Sequence, residues 1–174
     1  MTTETTAGHG GRTAVLGVDP GTTTGIALAV FSPTDFPMAI WSDQLAWDDA
    51  SDEVARQLER MRKQLDAGKI WRAVAVGERF TVNAQTARRG QSGAEDAMQM
   101  LGVLRREARL TGVEQAKLQQ ASTAKSLVKD PILRNLKLYA PGLVHVNDAY
   151  RHVVAWALSN RALDGKVALR GADG

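Results

Sequence analysis

Apolar residues crowd into Thr13–Val18, Gly25–Phe31 and Met38–Ser42, three short runs that read as consecutive strands. The first two are separated by Asp19-Pro-Gly-Thr-Thr-Thr24, a polar turn sequence, so they form a hairpin with an acid at the end of its first strand. The period then changes. Val54, Leu58, Met61 and Leu65 recur on one helical face between Ser51 and Ala67, with Ser51 suited to the N-cap, Asp52 and Glu53 to the first turn, and Gly68 to the stop. Trp71–Val76 is a fourth strand, closed by Gly77 and Glu78. Ser92-Gly-Ala-Glu95 is a capping box that opens a second helix, with Met98, Leu101 and Leu104 inward and a stop near Gly112. Val113–Leu118 reads as a fifth strand, and Ser122 to about Leu136 as helix broken near Pro131. The last helix starts around Asn147 and carries Val153, Val154, Trp156, Ala157 and Leu158.

Three strands in a meander followed by alternating helix and strand predict an α/β fold. Its five-stranded mixed sheet combines an antiparallel meander with parallel strands, and helices cover both faces. The 174 residues suffice for one domain, expected over residues 13–163, with flexible tails at 1–12 and 164–174. If the first and fourth strands are neighbours, Asp19 and Glu78 emerge at the same edge of the sheet, where open α/β sheets bind ligands.

Composition narrows the chemistry. With no cysteine, disulfides, thiolate metal sites and cysteine nucleophiles are excluded. The polar start lacks the apolar core of a signal peptide and no run reaches membrane-span length, so a cytoplasmic protein without membrane association is expected. Charge is unevenly spread: residues 1–78 hold 7 basic and 11 acidic side chains, residues 79–137 hold 11 basic and 5 acidic, and the last 37 hold 4 basic and 3 acidic. A basic middle third is the footprint of a surface that meets a polyanion, although solvated helix faces give the same count.

An aspartate embedded in so much apolar sequence needs a compensating partner or cation. Two phosphate chemistries supply one: a carboxylate that holds Mg²⁺, or a turn that cradles a nucleotide phosphate. An aspartate before Pro-Gly also serves as a plain turn former, Glu78 can pair with Arg79, and Asp148 at a helix start suits the helix dipole.

The LGVDPGTTTG opening, the acid Glu78 after the fourth strand and the HVNDAYRHVVAWAL segment together resemble the RuvC family of Holliday junction resolvases, nucleases of RNase H-like fold, and in the arginine–histidine pair its phage-encoded members. The resemblance runs from about Ala14 to Leu158. It implies a homodimeric endonuclease that cuts branched DNA such as four-way junctions, using two Mg²⁺ ions (with Mn²⁺ able to substitute) and no nucleotide cofactor. Asp19, Glu78 and Asp148 match the metal-holding acids, with Asp19 the candidate bridge between ions. Two ions on such carboxylates can activate a water and stabilise the leaving oxygen. The family's fourth acid lies three residues before the last aspartate, where this chain has His145. Aligning Asp148 with that earlier acid instead would put Arg151 at the position of the last aspartate, where it cannot bind a cation. His152, one turn beyond Asp148, shares its helix face and is a candidate base or phosphate contact.

For DNA the resemblance points to the loop after Glu78, with Arg79, Arg88 and Arg89, and to Phe80 as an aromatic wedge, although Phe80 follows Glu78 by two residues where the family has three. Lys117, Lys125, Arg105, Arg106, Arg109, Lys129, Arg134 and Lys137 offer phosphate contacts, Lys125 nearest the scissile bond. Two alternatives remain. One is an RNase H-like enzyme acting on RNA–DNA hybrids or rRNA. The other is an ATP-binding protein of the actin and hexokinase kind, which has a similar phosphate loop but needs two such domains.

Overall fold

The computed structural model describes residues 11–33, 35–79, 92–116 and 118–169. Strands β1 (Thr13–Asp19), β2 (Thr23–Phe31) and β3 (Met38–Ala46) form the expected meander, and β4 (Arg72–Gly77) and β5 (Glu114–Gln115) complete a five-stranded sheet in the order β3-β2-β1-β4-β5. β1 is central, antiparallel to β2 and parallel to β4. Helices α1 (Trp47–Asp66), α2 (Ser92–Thr111), α3 (Ala121–Leu127), α4 (Asp130–Asn135), α5 (Val144–Ser159) and α6 (Gly165–Leu169) follow the chain order.

Both sheet faces are buried, so β1 is apolar almost throughout, and strand parity sorts its side chains. Ala14, Leu16 and Val18 join Ile26, Leu28, Ala73 and Ala75 beneath α1 and α2, where Val54, Leu58, Met61, Met100 and Leu104 close one core. Val15, Ala27, Ala29, Phe31, Val74 and Val76 face the other way, onto Val146, Ala149, Val153 and Ala157 of α5 and onto residues of α3, α4 and α6.

Two glycines let α5 come unusually close to the sheet. A Cβ on Gly17 would lie 2.5 Å from the Ala149 carbonyl oxygen, and one on Gly25 would lie 2.0 Å from the His145 carbonyl oxygen. Gly25 stands directly opposite Asp19 in the β1–β2 ladder. The backbone of α5 therefore rests on the sheet beside that aspartate.

Several elements differ from expectation. β3 keeps its ladder with β2 as far as Ala46, and α1 starts at once at Trp47, with Asp48 and Asp49 in its first turn. Ser51 is consequently not a cap; its hydroxyl donates back to the Asp48 carbonyl at 2.9 Å. Tertiary contact selects this start, because the Trp47 indole donates to the Asp96 carbonyl of α2 at 3.2 Å. β5 shrinks to two residues, and Gln119 rejoins the sheet edge through a bridge to Glu78. The break at Pro131 separates α3 from α4, with the proline in the first turn of α4.

α5 begins at Val144, a turn before Asn147, whose side-chain amide bonds both backbone groups of Ala140 and ties down the preceding loop. Met98, expected inward, is exposed, whereas Met100, Leu101 and Leu104 are buried. Residues 165–169, expected to fray, form α6 with Val167 and Ala168 buried. Among the described residues no helix is long and apolar enough to cross a membrane.

Candidate active site

Parity along the two central strands brings the first two acids together. Asp19 continues the Val15–Gly17 row and Glu78 continues the Val74–Val76 row, so both carboxylates leave the sheet on the α5 side. The parallel ladder pairs Val18 with Gly77, and the Glu78 amide donates to the Val18 carbonyl at 3.2 Å, which sets Asp19 and Glu78 side by side. Their side chains lie close enough to hydrogen-bond each other.

Helix α5 supplies the rest from one stripe, His145, Asp148 and His152. His145 Nδ1 is 2.8 Å from Asp19 Oδ2. The buried ring of His152 reaches Glu78 Oε2 with Nε2 at 3.5 Å and the Gln119 side-chain oxygen with Nδ1 at 3.1 Å. Asp148 turns to cations instead. Its Oδ2 meets Lys125 Nζ of α3 at 2.8 Å, and its Oδ1 accepts from the Arg151 guanidinium. Arg151 also donates to Asp130 at the start of α4, so one largely buried side chain clamps two carboxylates.

Burial dominates the titration of Asp19 and pushes its carboxyl up to about 7; the His145 contact opposes this, and the neighbouring Glu78 and Asp148 reinforce it. Glu78 is also raised by burial, but bonds from His152 and Asp19 and the charges of His152 and Lys125 outweigh that, leaving it below its ordinary value. Lys125 is held above its ordinary value by its bond to Asp148. Two adjacent, poorly solvated carboxylates of which one resists ionisation form an oxygen donor set suited to a hard divalent cation. Asp148 adds its charge to that of Asp19 while its own oxygens face Lys125 and Arg151. Among the described residues, no three Asp, Glu or His side chains are grouped to hold a metal ion.

The structure thus gathers Asp19, Glu78, His145, His152, Asp148 and Lys125 at one end of the sheet. Arg79 follows Glu78 directly and lines an adjacent surface recess with Arg105, Gln115, Ala116 and Leu118. Phe80, Arg88, Arg89 and Lys117 lie outside the described residues. Sequence reasoning missed Gln119 and Asp130 and saw Arg151 only as a residue unable to bind metal. The Asp130-Pro131 helix start was visible, but nothing local tied it to Arg151, 21 positions away.

The hairpin turn is braced as well. Thr24 Oγ1 donates to the Gly21 carbonyl at 2.9 Å, and Thr22 Oγ1 donates to Asp96 of α2 at 2.9 Å.

A five-stranded mixed sheet with this strand order and helices on both faces is the RNase H-like fold. No protein-family model matches the chain, and no curated protein matches it in sequence. Solved structures do. The structure of Thermus thermophilus RuvC superposes with a TM-score of 0.61 at 16% identity over 85% of this chain and 95% of that one. The same protein in complex with Holliday junction substrate gives 0.59 at 16% identity over 86% and 95%. Within the RNase H-like class, the chain has the fold of RuvC.

Proposed function

We propose that the chain is a structure-specific DNA endonuclease that hydrolyses phosphodiester bonds at four-way junctions. The observation that carries the proposal is the Asp19–Glu78 pair. These two carboxylates lie side by side at the ends of adjacent parallel strands, on a fold shared with a protein solved on a Holliday junction.

Asp19 and Glu78 are the residues that would hold Mg²⁺, or Mn²⁺ in its place. When bound there, the ion supplies Lewis-acid charge to the scissile phosphoryl group. The chain's own residues do the remainder. His145 orients Asp19 from the partly exposed side, and His152, fixed between Gln119 and Glu78, holds the glutamate in place from within. Lys125 is half exposed beside Asp148 and presents its ammonium where a phosphate oxygen gathers charge in the transition state. Arg79, Arg105, Arg109, Lys129 and Arg134, together with Arg88, Arg89 and Lys117, supply phosphate contacts, and Phe80 is the candidate wedge. Paired cuts on symmetry-related strands require two such sites, so the reading includes a homodimer. Met100, Leu101 and Leu104 belong to the protein's own core, which leaves Met98 and Leu110 as exposed large apolar residues of α2.

The test is cleavage of a four-way junction with a mobile core beside linear duplex, single strands and an RNA–DNA hybrid, with Mg²⁺ and with Mn²⁺. Symmetric paired nicks confined to the junction are expected. Preferential cutting of the hybrid would transfer the site to the RNase H-like alternative, and ATP hydrolysis without any nuclease activity to the actin-like one. Junction affinity is expected to fall by on the order of 10³-fold or more between about 50 and 200 mM salt, as six or more phosphate contacts among these basic residues dictate. An affinity flat across that range would refute a phosphate-dominated grip.

A further inference from the structure

Asp148 is an acid in the right place with its charge already used. Both of its oxygens face cations, Lys125 on one side and Arg151 on the other, and Arg151 is anchored from behind by Asp130. Asp19 and Glu78, by contrast, face each other and two histidines, with the Lys125 ammonium in electrostatic reach but not bonded to either. The centre is therefore divided into a carboxylate pair open to a cation and a carboxylate already bound to two of them.

We propose that Arg151 is a resident cation standing where a second divalent ion would otherwise sit, so that the centre takes one divalent ion, on Asp19 and Glu78. This rests on the nuclease reading above and deepens it. The physical argument is charge. A divalent ion placed on Asp148 would sit within a few ångströms of the Arg151 guanidinium and the Lys125 ammonium, and like charges repel strongly at that range in a half-buried site. Asp19, Glu78, Asp148 and Asp130 when ionised carry four negative charges; Lys125 and Arg151 cancel two, and one divalent ion cancels the others.

Arginine suits the post better than lysine. Its planar fork reaches Asp148 and Asp130 at once, through different nitrogens, and it cannot lose its charge by deprotonation. Its side chain is only 15% exposed, so its position is set by packing as well as by charge. The tether to α4 makes Arg151 a positioning residue. It fixes Asp148, and Asp148 in turn holds Lys125 toward the place proposed for the phosphate.

Counting bound metal tests the idea without relying on turnover. The full chain is titrated with Mn²⁺ alone, the free ion being followed by electron paramagnetic resonance. Crystals with an uncleavable four-way junction are then soaked in Mn²⁺ and examined for anomalous scattering. One ion per chain is expected in both, lying between Asp19 and Glu78, with Arg151 still on Asp148. Arg151→Gln, which keeps the side chain's length and polarity, is expected to admit a second Mn²⁺ on the freed Asp148, and Arg151→Asp to bind it at least tenfold more tightly than Arg151→Gln.

Two ions in the wild type overturn the proposal and leave the nuclease reading standing. A variant pair that folds by circular dichroism yet stays at one ion overturns it too. No ion bound by the wild type, in solution or on the junction, ends both readings.

Discussion

Asp19→Asn is expected to abolish junction cleavage, by on the order of 10³-fold or more, while making the metal-free protein more stable at pH 8. The cleavage loss follows from removing a proposed cation ligand, and the stability gain from burial, which holds the Asp19 carboxyl at about 7 in the fold against 3.8 in an unfolded chain. Between those values the folded state keeps the proton and the unfolded state has lost it. Stability from this group is thus present below about 3.8 and is lost as pH rises through about 7. Above pH 7 the fold must hold a desolvated carboxylate against Glu78 and Asp148.

Asparagine keeps the shape and removes the charge. Allowing for relaxation around a coupled site, a gain of about 2 kcal/mol is reasonable, which for a domain of this size is about 4–8 °C in Tm. Near pH 4, where Asp19 is largely protonated in the fold, the difference between variant and wild type is expected to shrink to near zero. Thermal unfolding in a chelator at pH 4, 6 and 8 measures it. A variant that cuts junctions within tenfold of wild type would remove Asp19 from the mechanism, and a Tm that falls at pH 8 would contradict the cost assigned to its burial.

Much of this arrangement is legible in the sequence because strands alternate. Once Val15-x-Gly17-x-Asp19 and Val74-x-Val76-x-Glu78 are read as strands, each acid must share a face with the apolar row before it. What alternation cannot reveal is which strands pair and in what register, so the contact between Asp19 and Glu78 depended on β1 and β4 proving to be neighbours. Spacing placed Asp148 and His152 on one helical face, but not their partners, and His145 joins that stripe only because α5 starts at Val144, a turn earlier than expected.

The Asp148–Lys125 and Arg151–Asp130 pairs join α5 to α3 and α4, elements brought together by tertiary packing alone. The errors have the same origin. Ser51 has the chemistry of an N-cap, yet α1 starts where Trp47 finds α2. Met98 fits the helical period of Leu101 and Leu104, yet the buried stripe runs through Ala97, Met100, Leu101, Leu104 and Ala108 and leaves Met98 exposed.

Gly25→Ala is expected to damage both fold and site, although it adds one methyl group to a β-strand. The new Cβ would lie 2.0 Å from the His145 carbonyl oxygen, 2.1 Å from its carbon and 2.7 Å from the Val146 nitrogen. These are backbone atoms of the first turn of α5, so no side-chain rotation relieves the clash. The helix end must lift by more than 1 Å to reach ordinary contact distance, or β2 must bend away beneath it. Overpacking of this kind costs about 2–3 kcal/mol.

The site suffers separately, because Gly25 is the ladder partner of Asp19 and the lifted residue is His145, whose ring touches Asp19 at 2.8 Å. A displacement of about 1 Å at a positioning group costs about 10²-fold in rate. Gly102→Ala is the matched control. Nothing lies within 4 Å of a Cβ at that exposed position in α2, so the same methyl is expected to stabilise by about 0.5–1 kcal/mol through helix propensity and to leave cleavage unchanged. Both variants are compared by denaturant unfolding and by junction cleavage at a temperature where each is folded. Equal stability and equal rates for the two would mean that α5 does not rest on Gly25, and the seat that brings His145 to Asp19 would have to be found elsewhere.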